Sequence, residues 1–269
     1  MNAPSVSTTR QKRYGGVPAL GGYYALLIAL LYLPLAVLVV FSLNGNTVLA
    51  FPLKGFTTEW YARALATPAA LAAARNSLLV AVGSSVVATF LATLVAILVA
   101  RYPFRGKQLL LALSLLPLIV PYIVLGIALL LLFAALDIDR SLWTVGSAHT
   151  VIALPYALLI IVARLAGISP FLEEAAMDLG ADYPTTLRRI VLPILAPAIV
   201  AAWLVAFTAS FDEFALALFL TGSDPTLPIF IYGQLRFASR LPMLIALATM
   251  VMIGTLTLAF VAERLRRRT

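Results

Sequence analysis

The sequence has no cysteine, a single histidine and little charge. Without cysteine there are no disulfides, thiolate metal sites or cysteine nucleophiles. His149 stands apart from any carboxylate cluster in the sequence, so no metal site is expected. It reads as a polar residue near the outer end of a span. Charged residues make up 11% of the 269, whereas a soluble globular chain carries about 25%. No GxxxxGK[ST] run occurs, so the chain by itself is not expected to bind ATP. No Ser/His/Asp set or carboxylate pair sits in a plausible soluble pocket, so no catalytic residue, cofactor or enzymatic activity is expected. Acids are scarcer than bases, 11 against 19, giving a net charge of +8. The bases form no patch interleaved with aromatics, which argues against nucleic acid. There is no internal repeat or low-complexity domain. The halves show no obvious inverted symmetry, which weighs against a secondary transporter.

What the chain does have is oil. Hydrophobic residues make up 62% of it, and the mean hydropathy is +1.03. These values predict an all-α, polytopic membrane protein with six transmembrane helices. Residues 1–22 read as a disordered, basic cytoplasmic tail. An uncharged run at 23–43 is the first span, taken as uncleaved because no small-residue cleavage site clearly follows. Residues 44–75 form a periplasmic loop, in which Thr58 can cap a short helix whose Trp60 and Tyr61 suit the headgroup layer. A transmembrane domain at 76–263 holds five more helices, near 76–100, 109–136, 142–163, from about 194, and 241–262. Pro117 and Pro121 bend the third span. Gly83, Gly126 and Gly254 lie within spans, where small residues permit close packing or are simply common. Residues 264–269 are a basic tail. With the N-terminus inside, 13 Lys and Arg fall in the cytoplasm and 6 outside. Both termini are therefore placed in the cytoplasm.

The longest amphipathic, non-membrane stretch is EEAAMDLGADYPTTLRRIVLP at 173–193. Ser169-Pro170 suits a helix start, and Glu173 and Glu174 suit its positive end. Phe171, Ala175 and Leu179 share one face. Gly180 suits a left-handed helix end. Asp182 can cap a second helix with Tyr183, Leu187, Ile190 and Val191 on its apolar face, closed by Pro193. The expectation is helix, glycine bend, helix, lying beside the membrane. Taken alone, this pattern also fits an ordinary interfacial hairpin.

Glu174-Ala175-Ala176, then Gly180, then Ile190, then Leu192-Pro193 fill every fixed position of the EAA loop. In this the chain resembles the permeases of binding-protein-dependent (MetI-like) ABC transporters. The resemblance implies that 167–193 is a cytoplasmic coupling loop docking on an ATPase. It also implies two ABC ATPase subunits, a second permease subunit, identical or homologous, and an extracytoplasmic solute-binding protein. The setting it implies is the lipid bilayer of a bacterial inner membrane.

Asp212-Glu213 is the other unusual feature. Counted from Ile194 at 1.5 Å per residue, Asp212 lies about 27 Å along its helix, in the outer part of the bilayer. Either the helix ends there and both acids touch headgroups, or they line a substrate path that favours a cation. Adjacent helix positions differ by about 100°, so one acid is expected to line the path and the other to meet something else. FTTEWYARAL at 56–65, SFDEFALALFLTG at 210–222 and TLPIFIYGQLRF at 226–237 are similar to the polyamine-type branch of the same permeases. Related branches carry iron, opines and other small solutes. The function implied is the permease subunit of an ATP-driven importer of a small solute, a polyamine or similar cation. Two other readings remain: a stand-alone secondary transporter or channel with Asp212 and Glu213 as ion-coupling groups, and a structural membrane protein.

Overall fold

Pro68 presets the backbone of a first helical turn, and the alanine-rich run behind it has no further proline before Pro103. The result is α3 (Pro68–Arg101) in the computed structural model, which describes residues 18–47 and 50–267. Ala70, Ala73, Ser77, Ala81, Ser84, Ala88, Ala92 and Ala96 are buried along it at spacings of three and four. That spacing gathers small side chains on one face, where two other helices approach closely. They are α6 (Leu142–Ala166) and α9 (Leu192–Phe211). Their shared core includes Ala92, Ala96, Ala157, Leu158, Ile161, Leu165, Leu195 and Ala202. Lipid is as apolar as these residues, so the association rests on close packing and buried polar links rather than on escape from water.

Around this three-helix centre, α1 (Pro18–Ser42) lies against α12 (Leu241–Arg267) and is exposed from Leu20 to Ala36. Its outward leucines suit hydrocarbon. Among the described residues, five helices are long and apolar enough to cross a membrane. A sixth crossing is formed only if α4 (Lys107–Leu115) and α5 (Tyr122–Ala135) count together.

That pair corrects the expected third span. Instead of one bent helix over 109–136, the chain makes a 3₁₀ turn at Leu116–Leu118 and swings by 107° before α5. Pro121 cannot donate to the helical ladder and pushes the residue before it out of helical geometry, and Pro117 removes a second donor one turn earlier. At 14 residues, α5 is about 21 Å long and does not span the roughly 30 Å core alone.

α2 (Glu59–Ala66) forms as expected, but its aromatics are used differently. Thr58 makes no side-chain cap; Thr57 Oγ1 accepts from the Glu59 N–H at 3.1 Å instead. Trp60 is buried, and its Nε1–H donates to the Asn44 carbonyl at 2.7 Å. Tyr61 and Ser42 hydroxyls meet at 2.5 Å. Both aromatics thus pin the loop to the end of α1.

The three span glycines also divide. A Cβ on Gly126 would come within 2.8 Å of the Phe219 ring, so this glycine admits α10 (Ala215–Leu220) against α5. Gly83 and Gly254 have open space beside them. α11 (Leu227–Gln234) is tied to α3 where Ser77 Oγ accepts from the Leu227 N–H at 2.8 Å. Of the two expected tails, residues 18–22 are instead the start of α1 and 264–267 the end of α12, while residues 1–17 and 268–269 lie outside the described residues.

Candidate functional site

The amphipathic stretch folds into α7 (Phe171–Asp178), a bend, and α8 (Tyr183–Thr186). Gly180 has φ +90°, and its N–H donates to the Met177 carbonyl at 2.9 Å. The Ala181 N–H donates to the Ala176 carbonyl at 3.0 Å, which completes a Schellman ending. Asp182 Oδ1 accepts from the Thr185 N–H at 3.1 Å and caps α8. Hydrogen bonds from the Thr185 side chain and backbone hold the Asp182 carboxyl below its ordinary value.

Pro193 does not close the unit, contrary to expectation. The backbone makes a π turn over Leu187–Val191 and runs directly into α9, giving one apolar helix over Tyr183–Phe211. The Leu192 N–H reaches back to the Leu187 carbonyl. A widened π turn tolerates a missing donor just beyond it, so the chain stays helical through the proline.

The two glutamates of this unit part company. Glu174 is exposed, with Phe171 (75% exposed), Ala175 and Leu179 (90% exposed). Gly180 and Pro193 are exposed too, whereas Ala176, Ile190 and Leu192 are half-buried. Glu173 is buried and meets Arg101 Nε at 2.7 Å. Arg101 also donates from Nη2 to the Ile168 carbonyl at 3.3 Å. Tyr102 and Tyr183 meet edge to face with ring centres 5.8 Å apart. The unit is therefore clamped to the end of α3 on one side and offers an apolar face with one acid on the other.

At the far end of α9, Asp212 and Glu213 also diverge. Glu213 is buried, and its carboxylate accepts from the Leu216 N–H at 2.9 Å and the Ala217 N–H at 3.1 Å. These bonds satisfy N–H groups in the first turn of α10, directly after α9 ends. Glu213 Oε2 lies 3.2 Å from His149 Nε2. Asp212 is exposed and lines a cavity of about 510 Å³ with Phe211, Phe214, Ile231, Tyr232 and Met252. The Phe214 and Tyr232 rings lie 5.0 Å apart in it. A carboxylate among aromatic faces is a chemistry suited to an organic cation. A larger groove of about 1000 Å³ runs between α6, α9 and α12, but the ionisable groups lining it are Arg164 and Tyr156, so it holds no acid.

The sequence reading missed Arg101, Ser84 and Ser210, and it did not foresee the surroundings of His149. That histidine lies in the first third of α6, fully buried against Ser210 and Glu213. Its signal was visible as an ionisable residue inside an apolar run, the pattern that usually marks an inward-facing group. Which residues partner it depends on contacts across four elements.

A family model described as "Binding-protein-dependent transport system inner membrane component" matches residues 88–269. The spermidine/putrescine transport system permease protein PotC of Escherichia coli (strain K12) is 35% identical over 248 residues, covering 92% of this chain and 93% of the relative. The putrescine transport system permease protein PotI of the same strain is 34% identical over 246 residues, covering 88% and 87%. Among solved structures, a bacterial ABC transporter involved in the import of the acidic polysaccharide alginate superposes with a TM-score of 0.72 at 15% identity, covering 93% of this chain and 94% of that one. An amino acid ABC transporter superposes with a TM-score of 0.58 at 16% identity, covering 80% and 100%. At such low identity these two structures speak to the fold. The sequence relatives displace the stand-alone transporter or channel, because they are permease subunits of multi-component systems. This chain belongs to the binding-protein-dependent transport system inner membrane components, the multi-pass permease subunits of ABC importers.

Proposed function

We propose that this chain forms half of the membrane path for a polyamine or similar small organic cation. The observation that carries the reading is Asp212, an exposed acid on a cavity walled by Phe211, Phe214 and Tyr232. Relatives named for spermidine and putrescine support the same solute class. A diamine gains Coulomb attraction from the acid and cation–π attraction from the rings, both strengthened where water is scarce.

In this reading a second permease subunit, identical or homologous, packs beside the chain, and a solute-binding protein delivers from outside. Both termini lie in the cytoplasm. Two ATPase subunits supply the ATP chemistry there, and the loop at 167–193 docks on them. Glu174 and the exposed Phe171, Ala175 and Leu179 form the docking face, while Gly180 sets the angle between its two helices. ATPase closure then moves α7 and rocks the spans between outward- and inward-facing states, a rigid-body switch biased by nucleotide.

The test is ATP-driven uptake of labelled putrescine or spermidine by the complete complex in proteoliposomes. Uptake is expected with the wild-type chain and is expected to be lost with Asp212→Asn, at unchanged assembly. Normal cation uptake by Asp212→Asn would overturn the role of this acid. Preference for an anionic or neutral solute would overturn the solute class.

A further inference from the structure

Ser84, Ser210, His149 and Glu213 form a line of close polar contacts through an apolar core, and all four are buried. They come from α3, α9, α6 and the break between α9 and α10. Ser84 Oγ lies 2.8 Å from Ser210 Oγ, and Ser210 Oγ lies 2.8 Å from His149 Nδ1. His149 Nε2 is 3.2 Å from Glu213 Oε2, and the same carboxylate holds the Leu216 and Ala217 N–H groups. The Ser84 hydroxyl also donates to the Ala81 carbonyl at 3.4 Å, and His149 Nε2, buried and without a hydrogen bond of its own, faces the Glu213 carboxylate across that 3.2 Å contact.

None of the four lines the cavity that Asp212 lines. A polar cluster of this kind is costly to bury, and its contacts favour a location that plain apolar packing leaves loose. What it fixes here is the backbone break. Asp212 is the residue before Glu213, and among the described residues no other side chain bonds its carboxylate, so its place follows from where the break falls.

We propose that His149 is a positioning residue for Asp212: by holding the Glu213 carboxylate at the start of α10, it sets the α9–α10 break so that Asp212 lines the cavity. This rests on the reading that Asp212 meets the solute.

Side-chain length gives the test. Glutamine places an N–H roughly where Nε2 lies and asparagine roughly where Nδ1 lies, so His149→Gln keeps the reach to Glu213 and His149→Asn loses it. Labelled putrescine uptake by the full complex is measured for both. His149→Asn is expected to raise KM about tenfold while holding the maximal rate within about threefold, and His149→Gln to stay near wild type. Because the chain has no cysteine, D212C in an otherwise cysteine-free complex reports position directly by its rate of modification with a charged thiol reagent. That rate is expected to fall about tenfold with His149→Asn and to be kept with His149→Gln. Equal effects of Asn and Gln, or unchanged D212C labelling, would overturn the proposal. If His149→Asn does not assemble, Ser210→Ala removes the support at Nδ1 without stranding a charge, and unchanged labelling there overturns it equally. Normal uptake by Asp212→Asn, with labelling that still follows His149, leaves the positioning role standing and removes the solute role of Asp212.

Discussion

Glu173-Glu174 and Asp212-Glu213 are both acid pairs, set at opposite ends of the same stretch of chain, and each is split by the fold. One member of each is buried against a base from a distant helix: Glu173 against Arg101, and Glu213 against His149. The other member, Glu174 or Asp212, is exposed. The bases differ in kind. Arg101 is charged at any physiological pH and has a partly open boundary position, so it makes a permanent clamp. His149 is fully buried, with Ser210 hydrogen-bonded at Nδ1 and the Glu213 carboxylate 3.2 Å from Nε2, so it meets its acid inside the core rather than at a boundary. The lesson is a division of labour: the buried acid places the backbone, and the exposed acid beside it is free to meet a partner.

Four substitutions test that division, ranked by their effect on the stability of the detergent-purified complex. Arg101→Ala comes first. It strands the Glu173 carboxylate in a buried site, and losing one partner of such a pair costs about 3–5 kcal/mol. Thermal unfolding should show the loss, and the exchanged pair Arg101→Glu with Glu173→Arg should recover much of it. No recovery would mean that packing, not charge, holds the clamp.

Glu213→Ala follows. It leaves the Leu216 and Ala217 N–H groups without their acceptor and removes the carboxylate that His149 faces, at about 1–3 kcal/mol. A melting temperature equal to wild type would show that α10 does not depend on this cap. Gly180→Val is smaller. Forcing a branched side chain to φ +90° costs roughly 1–2 kcal/mol. Membrane insertion should be normal and co-purification with the ATPase weaker; unchanged attachment would remove the bend from the docking argument.

Smallest in stability, within about 0.5 kcal/mol, are the exposed members. Glu174→Lys should leave melting unchanged yet abolish solute-stimulated ATP hydrolysis, because it reverses the charge on the docking face. If it melts early or couples as well as wild type, the exposed acid is not the partner-facing one.

Much of this was readable without coordinates. The spans follow from uncharged runs of about twenty residues, since hydrocarbon cannot solvate a charge or an open backbone. The Gly180 bend follows because glycine enters the left-handed region without a Cβ penalty. Asp182 was legible as a cap from its place before an apolar turn. The 107° break at Pro117–Pro121 was legible only as a bend, because the sequence marks missing donors and not how far neighbouring helices let the chain swing. The path through Pro193 was misread because a π turn upstream absorbs the proline, and no local residue announces such a turn.

The sequence by itself determined the solvent, the helical class and the position of each acid along the chain, because hydropathy and turn chemistry act over a few residues. Only the tertiary structure decided which acid of each pair turns inward. Glu173 and Arg101 are 72 residues apart, and His149 and Ser210 are 61 apart. Adjacent positions differ by about 100° around a helix, so two acids in a row must face different surroundings. Which surroundings they meet is fixed by how α3, α6 and α9 pack, and that contact geometry is not written in any one segment.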